Sequence, residues 1–196
     1  MGGLMRRAGE KAHERRITVS TYEAGRDRVI IEGRLVDDRL NEYYLVTGEK
    51  RPPGEIHHMV VRLLVHTNTF AIEDVEVEMV RTPRDECREL QGSLGVIKGE
   101  RIVRGFSRRM RDLLGGVRGC THLLALLLDM GPAALQGIFS NRARSPMDVA
   151  SMLGDPARTE FFLATLLDTC RVWRKDGPAM KRLKRLIDAA RKGKGS

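Results

Sequence analysis

The sequence predicts an α+β fold in which a small antiparallel sheet, built from the N-terminal half, is covered by helices from the C-terminal half. Up to about residue 80, apolar and polar residues alternate in short runs, which is the period of a strand. After Pro83 apolar residues recur every three or four positions, which is the period of a helix. Because the strand-like runs come first and do not alternate with helices, we expect α+β rather than a parallel α/β arrangement.

Two pairs of strands are predicted. Residues 17–22 and 29–36 form the first pair, separated by a glycine-containing turn at 24–27. After a proline-rich connection at 49–54, residues 58–66 and 70–80 form the second pair around the turn Thr67-Asn68-Thr69. In the last run acidic and apolar residues alternate, so one face of the sheet should be exposed to solvent.

Six helices are predicted after the sheet, over residues 83–94, 107–114, 120–130, from Ala133 onwards, 159–173 and 178–192. The third should end at Gly131-Pro132, because proline cannot continue the hydrogen-bond pattern of a helix. We expect one domain over residues 16–177, a basic extension over 1–15 and a basic amphipathic helix with a tail over 178–196.

The positive charge of the chain lies at its two ends. The formal net charge is +9, and residues 171–196 carry ten Lys and Arg against two Asp, while residues 1–16 carry five against two Glu. The body is therefore nearly neutral. The C-terminal helix could hold an acidic protein or a nucleic acid, or be simply solvated, since no aromatic residues alternate with its charges. Its apolar positions leave docking, dimerisation and the oligomeric state open.

A cytoplasmic location is predicted. No apolar run approaches the ~18–20 residues that cross a bilayer, since Asp129 interrupts the longest one. Glu10, Lys11 and His13 stand where a signal peptide would have its apolar core. Three cysteines are too few for a disulfide framework, which favours free or metal-bound thiols in a reducing compartment.

The segment 115–123, Gly-Gly-Val-Arg-Gly-Cys-Thr-His-Leu, is the strongest local signal for chemistry. Its glycines permit a sharp turn that brings Cys120 to the start of a helix, where unpaired N–H groups favour a thiolate. A thiolate is either a metal ligand or a nucleophile, and His122 lies close enough to assist in both roles. The alternative is a structural turn with a buried cysteine.

A metal site could combine this segment with ligands from elsewhere. Cys87 and Cys170 would complete a Cys3His set with Cys120 and His122 for zinc or an iron-sulfur centre. Asp37 and Asp38 point to opposite faces of a strand, so only one could serve as a ligand or orient His122, and Asp38 is included in the predicted set. Otherwise both aspartates form salt bridges or a turn.

His57 and His58 precede the second predicted strand pair, so one of them should face inward. A structural histidine at a sheet edge, bonded to backbone, is the favoured interpretation. We find no nucleophile elbow, phosphate-binding loop or dinucleotide fingerprint in a suitable context.

Several segments resemble a bacterial family, domain-of-unknown-function family 2889. They span about residues 15–178 and comprise residues 32–38, 58–63, Pro83 with Cys87, 115–123, Ala134 with Gln136, 168–170 and Asp176-Gly177. The resemblance implies no established activity. It does place all three cysteines and His122 inside family-like segments, which favours a shared metal or thiol site. Arg171 stands where the family usually carries a histidine.

Three functions are therefore compatible with the sequence. The first is the binding of zinc or an iron-sulfur centre through Cys87, Cys120, His122, Cys170 and Asp38. The second is a small thiol enzyme with Cys120 as nucleophile and His122 as its activating base, acting on an acyl or thioester substrate. The third is a non-catalytic binding module that uses the basic C-terminal helix.

Overall fold

A computed structural model describes residues 3–144, 146 and 155–192. Four long strands form one antiparallel sheet in the order β1-β2-β5-β6, and a short hairpin, β3-β4, lies between β2 and β5 in sequence. The strands are β1 (His13–Glu23), β2 (Arg28–Arg39), β3 (Tyr43–Tyr44), β4 (Lys50–Arg51), β5 (Gly54–His66) and β6 (Ile72–Arg81). The helices are α1 (Phe106–Leu114), α2 (Thr121–Arg142), α3 (Pro156–Leu166) and α4 (Pro178–Lys192), with 3-10 segments at Met5–Arg7, Asp85–Ile97 and Gly116–Arg118.

The predicted fold class is confirmed: the antiparallel sheet comes from the N-terminal half and the helices from the C-terminal half. One face of the sheet forms the hydrophobic core. There the alternate residues of β2 and β5 are paired directly, Leu35 with Met59 and Ile31 with Leu63, and all four are fully buried. The two-residue period that predicted the strands therefore also identifies this core face.

Helix α2 packs directly on the core face. A Cβ atom at Gly33 of β2 would lie 2.5 Å from Met130 Sδ and 3.0 Å from Leu126 Cδ1. At Gly137 it would overlap the side chain of Thr21 in β1, with the Thr21 Cβ only 2.6 Å away. Glycine at both positions lets helix and sheet approach more closely than any other residue would allow.

The length and hydropathy of α2 would suffice to cross a membrane, although the interrupted apolar run had suggested that no such segment exists. Of its most apolar 18-residue window, 39% is buried inside the protein. Its close approach to Gly33 and Thr21 is that of a core helix that covers a sheet.

The predicted end of this helix at Gly131-Pro132 is wrong, because α2 continues to Arg142. Pro132 removes one backbone hydrogen bond, the one to the carbonyl of Leu128. The buried face nevertheless continues past it with Ala134 and Ile138, so packing on both sides of the proline holds the helix together.

Two other helices differ from their predictions. The segment predicted as a helix over 83–94 is the 3-10 helix Asp85–Ile97, in which Leu94 and Ile97 are buried three residues apart, as that helix requires. The helix predicted over 159–173 is α3, which begins earlier because Asp155 caps it by accepting from the backbone of Ala157 and Arg158. It ends at Leu166, and Asp168 has a φ of 56°.

The chain forms two compact units. One contains the residues up to Ile102 together with Phe106–Ile138, and the second contains Val103–Gly105 and the chain from Phe139 onwards. In the second unit, α4 buries Met180 and Ile187, whereas Leu186 is 62% exposed. The basic side chains of α4 at 181, 182, 184 and 185 are exposed as well. The predicted division at residues 15 and 177, and the docking role of α4, remain predictions.

We expect Gly137→Ala to lower the free energy of unfolding by about 1–3 kcal/mol, because the new methyl group overlaps Thr21. This is opposite in sign to helix propensity, which favours alanine by about 1 kcal/mol. The measurement is urea unfolding followed by circular dichroism. Gly92→Ala is the control, since nothing lies within 4 Å of its Cβ. Equal stability of Gly137→Ala and the parent protein would contradict the close contact.

Candidate metal centre

Three polar residues form a row across three strands at one end of the core face. Asp37 of β2 is paired with Arg15 of β1 on one side and with His57 of β5 on the other. The register shifts next to this row. Asp37 pairs with His57 and Asp38 pairs with Glu55, so Ile56 is an extra residue of β5 without a partner in β2. Such bulges re-aim side chains and are frequent beside functional sites.

Asp37 is a buried carboxylate whose main partner is Arg15. Only 2% of its side chain is exposed. Arg15 donates two hydrogen bonds, from Nε to Oδ1 at 2.6 Å and from a terminal nitrogen to Oδ2 at 2.7 Å. These bonds lower the pKa of Asp37 against the opposing effect of burial, and the charge of Arg15 adds to the lowering. Asp37 is therefore an anion at neutral pH.

His57 is mostly buried, with 13% of its side chain exposed, and its Nδ1 lies 3.1 Å from Asp37 Oδ2. The contact does not have the geometry of a hydrogen bond, and Nδ1 is a buried polar atom without a hydrogen-bond partner among the described residues. Burial lowers the pKa of His57, more than the neighbouring Asp37 raises it. The ring is therefore neutral, with a nitrogen that faces a carboxylate.

His122 enters the site from the first turn of α2. Its ring stacks on that of His57, with centroids 3.8 Å apart. Nε2 lies 3.8 Å from Asp37 Oδ2, and Nδ1 lies 3.7 Å from the sulfur of Cys120. The helix that fixes His122 is the one that packs over Gly33, so the close approach of helix and sheet also brings the two histidines together.

Asp37, His57 and His122 together offer one oxygen and two nitrogens, all within 4.8 Å of one another. Two imidazoles and one carboxylate are the ligands of many catalytic zinc sites and of mononuclear iron(II) sites. A third histidine, His13, lies at the solvent side, where its Nε2 is 3.4 Å from Asp37 Oδ1 and 49% of its side chain is exposed. The group is buried but open at one edge.

Cys120 lies immediately before α2, as the sequence predicted. Burial of its thiol would raise the pKa, but the contact with His122 and the backbone N–H groups of Leu123 and His122 outweigh this effect. The pKa of Cys120 is therefore lowered. Cys120 approaches His122 from the side of the ring opposite to Asp37, and so it lies next to the three-residue group rather than within it.

The other predicted ligands are not members of this three-residue group. Cys87 lies in the 3-10 segment Asp85–Ile97, and Cys170 follows α3 in the second compact unit. Asp38 points to the opposite face of the sheet from Asp37, where its Oδ2 accepts from Arg16 at 2.6 Å. Asp37, and not Asp38, lies beside His122.

His57 and Arg15, which both contact Asp37, were not among the predicted site residues. His57 is not at a sheet edge bonded to backbone, because β5 is a central strand and the ring packs on His122. A usable signal was present: Asp37 is in phase with Leu35 and Ile31, and His57 is in phase with Met59 and Leu63. Following this phase along each strand would have placed both on the core face.

Residues 13–136 match the model of a protein family described as "Protein of unknown function (DUF2889)". The matched region contains the whole sheet, Cys120 and the three residues of the group. No curated protein and no solved structure matched the chain.

We expect Arg15→Ala to lower the free energy of unfolding by about 2–3 kcal/mol, since it leaves the Asp37 carboxylate buried without its main partner. Arg16→Ala, the adjacent arginine, should cost less than about 1 kcal/mol because its ion pairs with Glu14 and Asp38 are on the surface. Urea unfolding of the metal-free protein measures both. Equal costs would mean that Asp37 does not depend on Arg15.

Proposed function

The chain belongs to the DUF2889 family, whose function is unknown, and from its own side chains we propose that it binds one divalent metal ion, zinc or iron(II), through Asp37, His57 and His122. The observation that carries this proposal is the buried Nδ1 of His57, which has no hydrogen-bond partner among the described residues and faces Asp37 Oδ2 at 3.1 Å. Burying a polar atom without a partner costs free energy, and a metal ion would remove that cost.

The distances from Asp37 to the two histidines suit a single ion. Metal–ligand bonds of roughly 2.0–2.2 Å in a tetrahedral site place donor atoms about 3.3–3.6 Å apart. The distances from Asp37 Oδ2 to His57 Nδ1 and to His122 Nε2 are 3.1 and 3.8 Å, on either side of that value. Shifts of a few tenths of an ångström would therefore bring these pairs to the spacing of a metal centre.

The protonation states also support metal binding. A metal ion needs deprotonated ligands. The lowered pKa of Asp37 provides a carboxylate at neutral pH, and the lowered pKa of His57 provides a neutral imidazole. Three protein ligands leave room for a water molecule, which is typical of catalytic rather than structural zinc.

A mononuclear ion is better supported than an iron-sulfur centre. Clusters of that type are held mainly by cysteine thiolates, and the group of donor atoms contains none. Cys120 contacts Nδ1 of His122, while Nε2 of the same ring faces Asp37. We assign Cys120 the role of orienting the ligand, since partners of the second ring nitrogen fix the position of metal-binding histidines.

We expect the purified protein to bind one zinc ion per chain and His57→Ala to weaken zinc binding by more than about 100-fold. Loss of a direct ligand should exceed the ~10–100-fold effect of losing an outer partner. Elemental analysis followed by zinc titration of the chelator-treated protein measures both values. Asp37→Ala and His122→Ala should behave like His57→Ala.

The chain supplies matched controls, because His58 and Asp38 are adjacent to the ligands but lie on the other face of the sheet. His58 interacts there with Arg34 and Glu55, and Asp38 with Arg16. His58→Ala and Asp38→Ala should keep full zinc affinity. If zinc binding survives His57→Ala but is lost when Cys87, Cys120 and Cys170 are changed to serine, the cysteine set predicted from sequence is the correct one.

A second function is favoured by the geometry of Cys120. His122 lies between Cys120 and Asp37: its Nδ1 is 3.7 Å from the Cys120 sulfur, and its Nε2 is 3.8 Å from Asp37 Oδ2. In a thiol enzyme the nucleophile, the base and the orienting carboxylate are arranged in this order. This function needs Nδ1 of His122 as the base and Nε2 as a donor to Asp37. Metal binding needs Nε2 without its proton, so the two functions use opposite tautomers of one ring.

Alkylation of the metal-free protein by iodoacetamide tests the second function. A nucleophilic Cys120 should react at neutral pH faster than Cys170, although Cys170 is the exposed one of the two. Mass spectrometry of the digested protein separates the two sites, and His122→Ala should slow only Cys120. A Cys120 that reacts only after unfolding would eliminate the thiol enzyme. With either function, we place the protein in the cytoplasm, where thiols remain reduced.

A further inference from the structure

A cleft of about 620 Å³ lies at the same end of the sheet as the candidate metal centre. Its walls come from the β3-β4 hairpin and from the ends of β2, β5 and β6, all within the first compact unit. A volume of this size is typical of sites for small molecules, which occupy roughly 300–1,000 Å³.

The cleft is strongly basic. Four arginines line it, at positions 39, 51, 81 and 84, against one acidic residue, Glu55. Arg51 is paired with Glu49, and Glu55 lies 3.3 Å from Nδ1 of His58. In the described part of the chain, no ion pair to a carboxylate involves Arg39, Arg81 or Arg84. Among the described residues, the cleft therefore holds an excess of positive charge that no ion pair neutralises.

Arg39 is held in a defined position. Its guanidinium lies over the ring of Tyr43, 4.1 Å from the centroid. This stacking holds the planar cation while leaving its N–H groups free to donate at the edge. Tyr44 and Ile56 add apolar wall beside it. A planar cation above an aromatic ring, with further arginines lining the same cleft, suits an oxyanion attached to an organic group.

Two residues that line the cleft lie close in sequence to two residues of the candidate metal centre. Arg39 follows Asp37 by two residues on β2, and Ile56 precedes His57 on β5. The cleft and the candidate metal centre are therefore built on neighbouring residues of the same two strands.

We propose that this cleft binds a small organic molecule that carries a phosphate group, held by Arg39, Arg81 and Arg84. A phosphate monoester carries close to two negative charges at neutral pH, which suits three unneutralised arginines better than the single charge of a carboxylate does. The inference rests on the cleft itself and goes beyond the metal proposal. If both hold, the phosphate compound is the substrate class of the metal centre.

Isothermal titration of the full-length, chelator-treated protein with phenyl phosphate tests this proposal, with benzoate as the carboxylate probe. Phenyl phosphate should bind, and benzoate should bind at least about tenfold more weakly. The double variant Arg81→Gln/Arg84→Gln should weaken the binding of phenyl phosphate by about tenfold or more. Arg26→Gln, in the turn between β1 and β2 at the opposite end of the sheet, should change nothing. Arg84→Gln alone is a second variant, since Arg84 lies outside the strands and is exposed.

Absence of binding by phenyl phosphate, equal binding of benzoate, or equal weakening by Arg26→Gln would each overturn the proposal. The metal proposal fails independently. His57→Ala should bind phenyl phosphate like the parent in the absence of metal, whereas Arg84→Gln should keep its zinc. Each variant therefore reports on one of the two sites.

Discussion

The ion pair between Arg15 and Asp37 is the constraint on which the rest of the site depends. A carboxylate at the end of a hydrophobic core is tolerated only when its charge is compensated, and Arg15 provides this with two short hydrogen bonds from the neighbouring strand. Once Asp37 is fixed as an anion on the core face, the imidazoles of His57 and His122 lie beside it. The pairing of β1 with β2 thus forms part of the sheet and also places Arg15 beside the carboxylate of the candidate metal centre.

The two faces of the sheet explain why this chemistry occurs on one of them. The face away from α2 carries surface ion pairs, such as Arg62 with Glu32 and Glu78, and these side chains remain in contact with water. The core face has low polarity except at its end, where the row containing Asp37 meets the first turn of α2. Electrostatic interactions are stronger there than at the surface, while half-exposed His13 marks a route to solvent.

Much of the fold could be predicted from the sequence because its signals are local. Alternation located all four long strands, and the glycines before Cys120 located the start of α2. Pro132 led to a wrong prediction of the end of α2, because the local sequence does not show that Ala134 and Ile138 are buried in the core. The site was half predicted: Cys120 and His122 are neighbours in sequence, but Asp37 and His57 meet only through the register of β2 and β5. Register is a property of paired strands, so a single strand cannot disclose it.

The extra residue Ile56 makes the site sensitive to chain length rather than only to side-chain identity. Because strand side chains alternate, losing or gaining one residue in β5 on the N-terminal side of His57 alters only the bulge, whereas the same change between His57 and Met59 would turn the imidazole to the solvent face. In the connection from residue 40 to 53, adding or removing one residue would not change which face of the main sheet a side chain occupies. Length variation among related chains should therefore accumulate in that connection, and the spacing from His57 to the core of β5 should be invariant.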